Sequence, residues 1–86
     1  LRDMTGENAI KREMALICVK AKPENQSRIK ELLADFNGTM MDEGTQQYIF
    51  EITGDEDTID ILLEKLEPFG IKKLARSGVL ALYKEF

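Results

Sequence analysis

"YIFEITGDEDTIDILLEKLEP", Tyr48 to Pro68, changes from an alternating pattern to a helical one within a single stretch. In its first part Tyr48, Phe50 and Ile52 fall on one side of an extended chain, with Ile49 and Glu51 on the other, so the aromatic side is expected to meet a core. Asp55 then stands as an N-cap. Beyond it Ile59, Leu62, Leu63 and Leu66 recur at i, i+3, i+4 and i+7, one apolar stripe on a helix that Pro68 stops. A strand that runs straight into an amphipathic helix is half of a small α+β domain.

The other half lies upstream. Ile29, Leu32, Leu33 and Phe36 repeat the same spacing in a helix expected from Glu24 to Asn37, with Pro23 in its first turn and Gly38 as its left-handed cap. Before that helix, "MALICV" (Met14 to Val19) is apolar on both alternating sides, as a central strand buried from both faces would be. Between the helices, Asp42-Glu43-Gly44-Thr45 separates two β-type runs and reads as a hairpin turn. After the second helix, "EPFGIKKLARSG" (Glu67 to Gly78) reads as a connector, and "GVLALYKEF" (Gly78 to Phe86) as a fourth strand.

The order is β-α-β-β-α-β, which predicts a ferredoxin-like α+β fold: a four-stranded antiparallel sheet with two helices on one face. Both crossovers should be right-handed. Residues 1–11 are polar and aperiodic and read as a linker or arm, leaving 12–86 as the domain. With both helices on one face, the other face of the sheet stays open. "MALICV" and "VLALY" nevertheless place apolar side chains there, so a homodimer through the sheet, or another protein partner, is expected to cover it.

The totals exclude several function classes. Eighty-six residues form one core and are too few to enclose a large active site. The absence of histidine removes the commonest general base and metal ligand. A net charge of −4 argues against nucleic acid, which demands a basic face. Cys18 lies inside an apolar run and reads as a small buried hydrophobe in a reducing compartment. No run approaches the ~18 apolar residues of a membrane span, and no signal-peptide core is seen, so the cytoplasm is expected.

Four constellations could carry chemistry. "GDEDTID" gathers Asp55, Glu56, Asp57 and Asp60, but a calcium loop begun at Asp55 would need glycine where Asp60 stands and glutamate where Leu66 stands. Capping and the helix dipole account for these acids instead. "KAKPENQS", between the first strand and helix, lacks the glycine that would let a ligand approach its backbone, and no phosphate-binding fingerprint occurs anywhere. Tyr48 and Phe50 could stack RNA bases, yet their alternation makes them core. Lys72, Lys73 and Arg76 remain as candidates for docking a partner. Neither catalytic, cofactor-binding nor metal-ligating residues are assigned.

Taken in order, "IKREMALICVKA" (Ile10 to Ala21), "SRIKELLADF" (Ser27 to Phe36) and Tyr48 to Leu82 resemble the C-terminal, ACT-like domain of the acetolactate synthase small subunit. The most specific segments are "EITG" (Glu51 to Gly54) and "PFGIKKLARSG" (Pro68 to Gly78). "RDMTGENAI" resembles the linker that in this family follows an N-terminal ACT domain. Three positions depart from the family pattern: Cys18 stands at a usual lysine, Asn37 at a usual arginine, and Ser77 at a usual threonine.

The resemblance implies a non-catalytic regulatory subunit of branched-chain amino-acid biosynthesis that activates a large catalytic subunit. Thiamine diphosphate, magnesium and FAD would reside on that large subunit, and feedback effector sites on the ACT domain. The alternative from the residues alone is a stand-alone ligand-sensing or dimerisation module of a transcriptional regulator. An acylphosphatase-like hydrolase would need an anion-cradling loop after the first strand, which "KAKPENQS" does not supply.

Overall fold

The computed structural model describes residues 8–84. Strand β1 (Ala9–Lys20) leads through a 3-10 turn (Pro23–Asn25) into helix α1 (Gln26–Asp35). Strands β2 (Thr39–Glu43) and β3 (Gln47–Gly54) form the expected hairpin, closed where the Gly44 N–H donates to Gln47 O at 2.9 Å. Helix α2 (Glu56–Leu66) ends in a second 3-10 turn (Glu67–Phe69) that holds Pro68, and strands β4 (Ile71–Arg76) and β5 (Leu80–Tyr83) follow. The sheet runs β2-β3-β1-β4, with every neighbour antiparallel, and β5 pairs with β1.

The ferredoxin-like α+β architecture is therefore present, but with five strands instead of four. The fourth strand is "IKKLAR", inside the stretch that reads as a connector, and the terminal apolar run is the fifth. The physical reason is that β4 is an edge strand. Lysines at such an edge discourage further pairing, and here Lys72 and Lys73 erase the alternation by which an inner strand is recognised. The first strand also begins earlier than Arg12: residues 9–11 belong to β1, whereas 1–7 lie outside the described residues.

The core forms between the sheet and the helices. Ala15, Ile17 and Val19 of β1 and Tyr48, Phe50 and Ile52 of β3 meet Ile29, Leu32 and Leu33 of α1 and Ile59, Leu62 and Leu66 of α2. Burying each large aliphatic or aromatic side chain contributes ~1.5–3 kcal/mol, which is how so short a chain offsets its ordering cost. Tyr48 and Phe50 lie in this layer, unavailable to any base.

Helix ends follow local chemistry. The Asp55 carboxylate accepts from Thr58 N–H at 2.8 Å, the N-cap expected of it. At the end of α1 the left-handed residue is Asn37, φ 55°, not Gly38. The N–H groups of Asn37 and Gly38 donate to Ala34 O and Leu33 O, a Schellman closure. Gly38 serves a different need there, since a Cβ on it would collide with the Leu33 side chain and stand 3.2 Å from Glu51 O.

Candidate functional site

The face of the sheet away from the helices is built by parity. Ala15, Ile17 and Val19 are fully buried, so the even-numbered residues of β1 point the other way. Ile10, Met14 and Leu16 are 51%, 44% and 43% exposed on that side. Cys18 shares their parity but is buried between its cross-strand neighbours Ile49 and Lys73. Pairing of Arg12 with Leu80 and Ile10 with Leu82 adds two leucines, 77% and 74% exposed. Five large apolar side chains thus follow one line along β1 and its last partner.

The outer part of this line is an arm. β3 pairs with β1 only over Glu13 to Lys20, so Ala9 to Arg12 and β5 form a two-stranded ribbon beyond the four-stranded body. A two-stranded ribbon is marginally stable alone in water, and this one carries the two most exposed leucines among the described residues. Such a surface is suited to protein contact. Charge flanks it on both sides: Lys73, opposite Cys18, lies toward the β4 edge, and Glu51, opposite Leu16, lies on β3.

The three candidate docking residues do not form one cluster. Lys73 faces the open side. Lys72 reaches across to Gln47, its Nζ 2.8 Å from Oε1. Arg76 pairs with Ala15 and so points to the helix side, where it is committed within the chain. Its Nη2 and Nε donate to Glu13 Oε1 at 2.6 and 3.2 Å, and its Nη1 to Asp60 Oδ1 at 2.7 Å. The Arg76 side chain is 27% exposed and that of Glu13 only 4%. The guanidinium hydrogen bond holds the Glu13 carboxyl below the ordinary carboxylate range, against the opposing effect of burial. The same bond, with that to Asp60, keeps Arg76 more firmly protonated than a free guanidinium.

Glu13 was not singled out by sequence reasoning, and Asp60 entered it only as one acid of "GDEDTID", attributed to capping and the helix dipole and not to a pair with Arg76. A signal existed for Glu13: it occupies a core-side position of β1, where a charge requires a buried partner. Glu13 also accepts from Gly78 N–H at 3.1 Å, tying the start of the arm to the segment between β4 and β5. Ser77 completes the junction, its Oγ accepting from Met14 N–H at 3.0 Å and donating to Gly78 O at 2.8 Å.

Elsewhere polar groups are likewise spent internally. At the β1–α1 connection the Gln26 side-chain amide donates to Ala21 O and Thr45 O, both at 3.0 Å. Lys30 pairs with Glu43 at 2.9 Å and lies 5.6 Å from the Tyr48 ring centroid. An open notch of about 730 Å³ between the arm and the start of α2 is lined by Lys11 and Arg12 on one side and Asp55, Glu56 and Asp57 on the other. Among the described residues no group of three or more potential metal ligands converges, and no helix is long and apolar enough to cross a membrane.

Comparison with known proteins adds an independent finding. Residues 12–85 match the family described as the small subunit of acetolactate synthase. The acetolactate synthase small subunit of Aquifex aeolicus is 39% identical over 85 residues, covering 96% of this chain and 44% of that protein. Its counterpart from Bacillus subtilis is 33% identical over 79 residues, covering 92% and 46%. The crystal structure of the acetolactate synthase small subunit from Thermotoga maritima superposes with a TM-score of 0.90 at 31% identity, covering 98% of this chain and 52% of that one. The chain spans about half the length of the relatives it matches.

Proposed function

The chain belongs to the acetolactate synthase small-subunit family, and from that premise we propose that it is the domain through which a regulatory subunit engages and activates the large catalytic subunit. The observation that carries this reading is the open apolar face along Ile10, Met14, Leu16, Leu80 and Leu82. A domain in which, among the described residues, no buried side-chain polar atom lacks a partner, and in which five of the nine exposed large apolar residues lie in one line, is suited to binding a protein and not to transforming a small molecule.

In this reading the reaction's thiamine diphosphate, magnesium and FAD belong to the catalytic subunit, and the stretch ahead of β1 connects to an ACT domain that holds the branched-chain amino-acid effector sites. The setting is the cytoplasm. The same open face allows a homodimer through the sheet. Lys73, on that face, is the candidate that contributes an intermolecular charge, whereas Arg76 supports the face from behind.

The test is a pull-down and activity assay with the matching large subunit. The full-length small subunit should bind it and raise its activity, and deletion of this domain should abolish the increase. Unchanged binding and activity after deletion would exclude the role.

A further inference from the structure

We infer that Glu13 and Ser77 are positioning residues that set which face the arm presents, by locking a bulge of one residue between β4 and β5. This goes beyond the regulatory reading and holds whichever protein covers the face. Arg76 stands opposite Ala15 and Leu80 opposite Arg12, so Ser77, Gly78 and Val79 oppose only Met14 and Glu13. Ser77 N–H still donates to Met14 O at 2.9 Å, which places the extra residue at Gly78 and Val79, against Glu13.

The extra residue decides the face. Were the ladder to continue straight from β4, Leu80 would oppose Lys11 and Leu82 would oppose Ala9, on the helix side. With the bulge they oppose Arg12 and Ile10 and join the open face. A shift of one residue inverts every side chain of a strand, so the apolar line exists in this form only while the bulge is held.

The bulge has its own set of partners. Gly78 adopts φ +85°, a left-handed angle that glycine reaches without strain. Its N–H, out of step with the ladder, is accepted by Glu13 Oε2, and Glu13 is itself anchored by Arg76. Met14 N–H is accepted by the Ser77 hydroxyl in place of a strand carbonyl. Removal of the Glu13 carboxylate leaves Gly78 N–H without this partner, whereas in the straight ladder Gly78 would stand opposite residue 13 as a non-hydrogen-bonded pair with its N–H turned outward to water at the β4 edge; the register then slips and the leucines turn inward.

The experiment reads cross-strand backbone NOEs in the chain by NMR. The Ile10–Leu82 and Arg12–Leu80 contacts should be lost in Glu13→Ala while those between Ile17 and Phe50 persist, and Glu13→Gln, which retains an acceptor oxygen, should keep them. Deleting Gly78 straightens the ladder with Leu80 still opposite Arg12, so Glu13→Ala combined with that deletion should recover both contacts. Undiminished contacts in Glu13→Ala, or no recovery in a combined variant whose Ile17–Phe50 contact persists, would overturn the inference. If Glu13→Ala loses the Ile17–Phe50 contact as well, Ser77→Ala at its exposed position decides: the Arg12–Leu80 contact should weaken there and return in Ser77→Thr, and an unchanged contact in Ser77→Ala overturns the role.

Discussion

Glu13 shows how one side chain can link stability to surface geometry. It sits on the core side of β1, pairs with Arg76 and accepts from Gly78, so removing either charge leaves the other short of a partner in a largely enclosed site. Arg76→Met should therefore lower the urea midpoint more than Lys72→Met, whose side chain contacts Gln47 at an exposed edge. The acid dependence has a definite sign. Because the folded Glu13 carboxyl titrates below its ordinary range, its contribution is fully present above the unfolded value near 4.5 and is lost as pH falls through the lower folded value. Urea midpoints measured from pH 6 down to ~2 should fall in the native protein, and Glu13→Gln should flatten that decline. Equal slopes in the two proteins would show that the pair is not what acid breaks.

At the scale of elements, legibility in the sequence followed burial. Both helices, the hairpin and β1 declare themselves because Ile29, Leu32, Ile59, Leu62, Tyr48 and Phe50 repeat with the period of their element against a core. β4 was hidden because an edge strand with Lys72 and Lys73 has no such constraint. The junction was hidden for a different reason: a bulge of one residue is an event between strands, visible only once Ala15 is known to face Arg76 and Arg12 to face Leu80. The open apolar face could be foreseen from "MALICV" and "VLALY", but its extension into an arm could not, because nothing local says where β3 stops pairing. The end of α1 offers a check on the local account. Asn37 holds φ 55°, so Asn37→Val should cost about 1–3 kcal/mol in chemical denaturation, while Asn37→Gly should keep the Schellman closure and most of the stability. Equal stability of the valine and glycine variants would contradict it.

At the scale of the molecule, a small core is combined with an apolar line that water should not be left to cover. Leu80 and Leu82 are exposed on a two-stranded ribbon, so replacing them with aspartate removes little folded-state packing. The Leu80→Asp/Leu82→Asp variant should keep a thermal midpoint close to that of the native domain while losing association. A midpoint that collapses would mean that the leucines belong to the fold and not to an interface. The most direct measurement of the central claim is activation of the large subunit of acetolactate synthase by full-length small subunit, native and Leu80→Asp/Leu82→Asp, titrated side by side with folding monitored. The account predicts that the native subunit raises catalytic activity and that the folded variant fails to do so at the same concentrations; activation by the variant equal to the native would contradict it.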